Sequence, residues 1–106
     1  LRMANKIYSK NLDTFNKVIT SLATDAVADV EGISLLGTKK SRGAVSVYFL
    51  PNEKVSVDMF VNISQGYTVP AAVAALQENV KNQIERATKY KVHTVNVHVM
   101  SVSIEQ

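Results

Sequence analysis

Between Pro51 and Gly66 the chain reads Val55-Ser56-Val57-Asp58-Met59-Phe60-Val61-Asn62-Ile63-Ser64. Large apolar residues hold every second position, with Ser56, Asp58, Phe60, Asn62 and Ser64 between them. Successive side chains of a strand point to opposite faces, so a period of two demands an extended segment with one face buried. Such a strand needs neighbours along both edges and a layer over its apolar face. That requirement organises the rest of the chain.

Candidates for both roles lie on either side. Ala44 to Leu50 alternates, with Val45, Val47 and Phe49 on one face and Ser46 and Tyr48 on the other, and Pro51, Asn52 and Glu53 make the turn into the central strand. Ile33 to Leu36 is a short strand, and Val92 to Val99 is a last one, with Val95, Val97 and Val99 on one side. Phe15, Val18, Ile19, Leu22, Ala26 and Val30 recur at helical spacing. Asp13 is placed to cap that helix and Gly32 to end it in a left-handed conformation. Residues 1–12 are then an N-terminal extension, and 13–106 a single domain. A second helix begins at Pro70 and carries the stripe Val73, Leu76, Val80, Ile84 and Ala87, with Glu85 and Lys89 spaced as an ion pair.

The predicted order is α-β-β-β-α-β, an α+β fold with both helices on one face of a mixed three- or four-stranded sheet. The central strand, second helix and last strand form a crossover between parallel strands.

Composition removes several function classes. The chain of 106 residues has no cysteine, which excludes disulfides and thiolate metal sites and suits a reducing compartment. Its formal net charge is only +3, low for a dedicated nucleic-acid binder. The longest strongly apolar run, Ala71 to Leu76, cannot span a bilayer. Leu1 and Arg2 precede Met3, where the natural chain is expected to begin, and no signal segment is recognisable, so the expected location is cytoplasmic.

Catalytic and cofactor chemistry is not expected. His93 and His98 are five apart in one strand, an odd offset that sends them to opposite faces. Asp25, Asp29 and Glu31 lie near the first helix's end and read as a solvated acidic face rather than a cation site. Phosphate-loop, dinucleotide and nucleophile-elbow motifs are absent.

Two surfaces remain. Lys39, Lys40 and Arg42, between Gly37 and Gly43, form a basic loop able to meet phosphates. On the sheet face opposite the valines lie Tyr48 and Phe60. After Val99 the apolar parity switches to Met100, Val102 and Ile104. Either a bulge resets the register, or Met100 and Val102 join Tyr48 and Phe60 in an exposed apolar and aromatic patch of the kind that marks protein contacts.

These segments together resemble the alkaline shock protein and general stress protein family of mostly Gram-positive bacteria. The carriers are Val30-Glu31-Gly32-Ile33, Val55 to Val61, Pro70, Val73, Gln77-Glu78-Asn79-Val80-Lys81, Ile84-Glu85 and Val95-Asn96-Val97-His98-Val99. The similarity runs from about Asp13 to Val102. It implies a small non-enzymatic cytoplasmic protein without cofactor, acting in cell-envelope homeostasis or stress. It also implies self-association and binding of a membrane-anchored protein partner, with membrane contact only through that partner. The alternative is a nucleic-acid-binding module using the basic loop and the Tyr48/Phe60 face. Two departures stand out. Gln65-Gly66 replaces the family's usual Tyr-Gly, and Thr88-Lys89 its usual Thr-Gly, which places Lys89 where a left-handed residue is expected.

Overall fold

The computed structural model describes residues 2–36 and 44–103, with side chains described for 14–36 and 44–102. Its order is α1 (Arg2–Ala28), β1 (Ile33–Leu35), β2 (Val45–Leu50), β3 (Lys54–Ser64), α2 (Val69–Ala87) and β4 (Lys91–Ser103). The fold is α+β, as the periodicities predict.

The long alternating segment is the hub. β4 runs parallel to β3 from Lys54↔Lys91 to Ser64↔Ser103. The other edge of β3 is shared, with β2 antiparallel along Lys54–Met59 and β1 antiparallel along Val61–Ile63. The four-stranded sheet is therefore mixed and, at any level, three strands wide. Val55, Val57, Met59, Val61 and Ile63 are all completely buried beneath the helices, while Ser56, Asp58, Phe60, Asn62 and Ser64 line the uncovered face.

The helices supply the covering layer. Ile19, Ala23, Ala26 and Val27 of α1 and Ala72, Leu76, Val80 and Ile84 of α2 are buried in one core with β3. Each large side chain so buried contributes roughly 1.5–3 kcal/mol of transfer free energy. The stripes are rotated slightly from the sequence reading: Val18 is 41% exposed and Ala87 exposed, while Ala23, Val27 and Ala72 are inside. Asn79 Nδ2 donates to the Ala26 carbonyl at 2.8 Å, so α2 satisfies part of the open end of α1.

The expected start of α1 at Asp13 is corrected to Arg2. Residues 2–12 contain no glycine or proline, and Tyr8, Leu12, Phe15 and Ile19 continue the three- and four-residue spacing. A capping preference at Asp13 is a local term, and it gives way where the helical ladder runs on through it.

The end of α2 differs as well. Lys89 does not have positive φ; among the described residues the non-glycine residues that do are Asn52 and Glu53, at 66° and 57°. Thr88 takes an extended conformation instead, and its N–H donates to the Ile84 carbonyl at 2.9 Å. Its Oγ1 donates to the same carbonyl at 2.8 Å and accepts from the Tyr90 N–H at 3.1 Å. A threonine hydroxyl thus does what a left-handed glycine does elsewhere. Thr88→Val is expected to lower stability by about 1 kcal/mol, one such net bond, measurable by urea titration. The expected Glu85–Lys89 pair is not formed. Glu85 meets Lys81 at 3.8 Å and accepts the Val92 N–H at 2.9 Å, while Lys89 reaches Glu53 at 3.3 Å. Glu53, left-handed in the β2–β3 turn, also accepts the Lys91 N–H through its carbonyl at 2.9 Å. That turn is where β4 begins its pairing.

Candidate functional site

Both helices lie on one side, so the other side of the sheet is uncovered among the described residues. Register determines what it displays. Thr94 Oγ1 donates to Ser56 Oγ at 2.9 Å, Asn96 Nδ2 to Asp58 Oδ1 at 2.8 Å, and Ser101 Oγ to Asn62 Oδ1 at 2.7 Å. Between the last two pairs, Phe60 and His98 stack with ring centroids 4.6 Å apart and planes 17° apart. Four consecutive cross-strand pairs of β3 and β4 thus hold each other in fixed conformations on an exposed surface. A ligand meeting them loses less side-chain entropy than it would on a mobile polar surface.

Tyr48 of β2 is on the same face, opposite Ser56, and 52% exposed. Tyr48 and Phe60 are not one patch: the row Ser46, Asp58 and Asn96 separates them, and they are roughly 13 Å apart along β3. Leu36 donates its N–H to the Phe60 carbonyl at 2.8 Å and lies beside that residue on the edge.

Met100 and Val102 follow the bulge alternative. The β3–β4 register shifts between Val61 and Asn62, so that Val99 pairs with Val61 and Ser101 with Asn62, leaving Met100 as the extra residue. Val102 then pairs with the buried Ile63 and belongs to the helix side, where it remains 51% exposed. The expected four-residue patch is not formed: Tyr48 and Phe60 stand apart on the uncovered face, and Met100 and Val102 are a separate exposed pair near the end of β4.

A second shift leaves His93 unpaired between Val92 and Thr94. The parity argument that separated the histidines counted no such extra residue, and both are exposed. Asp25 and Asp29 are exposed too, and Asp29 Oδ2 accepts from Gln83 Nε2 at 3.3 Å. Among the described residues no group of three or more His, Asp or Glu could hold a metal ion. Lys39, Lys40 and Arg42 lie outside the described residues. An open groove of about 500 Å³ runs between Asp29–Glu31 and the start of α2, lined by Tyr67, Thr68 and Ala71 among others.

One comparison decides kinship. The profile of the alkaline shock protein 23 family, described as having a cell envelope-related function, matches residues 4–104. The chain belongs to that family. It is 19% identical over 100 residues to the uncharacterized protein YqhY of Bacillus subtilis (strain 168), covering 84% of this chain and 74% of that protein. To the uncharacterized protein Spy1535 of Streptococcus pyogenes it is 28% identical over 99 residues, covering 85% and 74%. No solved structure matches. Among the described residues of this family member, no helix is long and apolar enough to cross a membrane.

Proposed function

We propose that this domain is a non-enzymatic interaction module of the cytoplasmic side of the bacterial envelope, binding other proteins, its own copies included. The family's cell envelope-related description supports the setting. The observation that carries the reading is the uncovered sheet face, on which the Ser56–Thr94, Asp58–Asn96 and Asn62–Ser101 bonds and the Phe60–His98 stack pre-order the side chains beside exposed Tyr48. Contact surfaces combine aromatic anchors with ordered polar groups in this way. The partner is a protein presented at the membrane, and membrane contact and any role under stress pass through it.

The test is affinity purification of the tagged chain from a membrane-containing extract, with and without nuclease. A membrane protein should be recovered equally in both samples. Tyr48→Ser and Phe60→Ser should each reduce its recovery several-fold while the circular dichroism spectrum stays unchanged. Equal recovery by wild type and both variants would remove the face from consideration. Recovery that nuclease abolishes would favour nucleic-acid binding.

A further inference from the structure

β4 lies at an edge of the sheet, with β3 on one side and, among the described residues, no strand on the other. In its first half the free edge is closed by side chains from α2: Gln77 Nε2 donates to the Val95 carbonyl at 2.8 Å, and Glu85 accepts from the Val92 N–H at 2.9 Å. Beyond Val95 no such closing bond is found among the described residues. The segment of α2 that precedes Gln77, Val69 to Leu76, reads Val-Pro-Ala-Ala-Val-Ala-Ala-Leu and has no side chain able to form a hydrogen bond. Since the Val95 backbone faces away from β3, strand alternation turns the N–H and C=O groups of Val97 and Val99 outward as well. Beside this open edge stand Met100 and Val102, 53% and 51% exposed, and on α2 the exposed Pro70, Ala71, Ala74 and Ala75.

Open edges in native proteins are blunted by lysine, proline or short length, because they template further pairing. Here Val92 to Ser103 contains no Asp, Glu, Lys, Arg or Pro. We infer that this edge is where a second copy of the chain pairs, β4 against β4 antiparallel about a two-fold axis, giving one sheet continuous across two protomers. The occupant follows from charge. About a two-fold axis a strand meets its own copy, so any charged residue near the axis meets the same charge. The stretch Val92 to Ser103, with His93 and His98 as its titratable groups, brings no carboxylate, ammonium or guanidinium against its own copy, and the helix side next to it, small and apolar in Pro70, Ala71 and Ala74, lets the second copy's α2 approach closely.

This rests on the reading of the domain as a module that binds its own copies, and it places that contact on an edge distinct from the Tyr48/Phe60 face. The test is light scattering coupled to gel filtration on the whole chain across micromolar to millimolar concentrations. Wild type should reach twice the chain mass of 11.6 kDa. Val99→Pro removes an outward N–H while sparing the pairing with β3, and should return the mass to that of one chain. Should Val99→Pro fail to fold, the double variant Met100→Lys/Val102→Lys, altering two residues already over half exposed, gives the same reading. Tyr48→Ser and Phe60→Ser should stay dimeric even where they lose the envelope partner. The inference is overturned by a monomeric wild type, by a folded edge variant that stays dimeric, or by dimers lost in the face variants and kept in the edge variants.

Discussion

Leu76→Ala is expected to lower the unfolding free energy by about 3 kcal/mol, within the usual range for a buried leucine. Leu76 is fully buried in the core between α2 and the sheet. Its neighbours one turn away on α2 are Ala72 and Val80, both already buried. An alanine cannot swing across to fill the space and a valine has little freedom to, so the lost transfer energy is joined by a persistent cavity. Domains of this size hold about 5–15 kcal/mol in total, so the loss is a large share. It would be read from the urea midpoint at unchanged m-value, with Ala87→Ser, at an exposed position of the same helix, as the control. A loss under about 1 kcal/mol would mean that α2 repacks freely against the sheet.

Gly32→Ala is expected to cost about 2 kcal/mol or more, from two separable sources. Gly32 has φ +82°, a conformation that a residue with Cβ adopts at a penalty of roughly 1–2 kcal/mol. Independently, a Cβ at Gly32 would overlap the ring of Tyr67, which lies directly over the glycine. The ring cannot simply be ignored, because this corner also fixes the sheet: the Gly32 carbonyl accepts the Ser64 N–H at 2.8 Å, next to the Ile33↔Ile63 pair. A double-mutant cycle separates the terms. In a Tyr67→Ala background the steric part should vanish and only the backbone penalty remain, so Gly32→Ala should cost less there than in wild type. Strict additivity of the two substitutions would show that the ring moves aside at no cost.

Some of this was legible from residue order alone. The alternation from Val55 to Ile63 demanded a buried strand, and it is the hub; Gly32 was expected to be left-handed, and it is. Tyr48 and Phe60 were assigned to the uncovered face by the same parity. Other features depend on partners that are far away in sequence. Thr88 was passed over as a helix terminator because a hydroxyl ends a helix only when the following N–H turns back towards it. Glu85 resembled half of a helical ion pair, yet it closes the edge at Val92. The polar pairs of Ser56, Asp58 and Asn62 could not be foreseen, since they require β4 in its parallel register with an extra residue at His93 and another at Met100. At Met100 the apolar pattern left two alternatives open, and only pairing with Val61 and Asn62 chose between them.

The shared edge of β3 also has a consequence for local opening. β1 leaves that edge at Leu36, bonded to Phe60, and β2 rejoins it with Val45 opposite Met59. Each strand takes its alignment from its own rungs on β3, not from the other. A change that frees Val45 from Met59 therefore leaves the Ile33↔Ile63 and Leu35↔Val61 rungs in place, so the two halves of this edge can open one at a time.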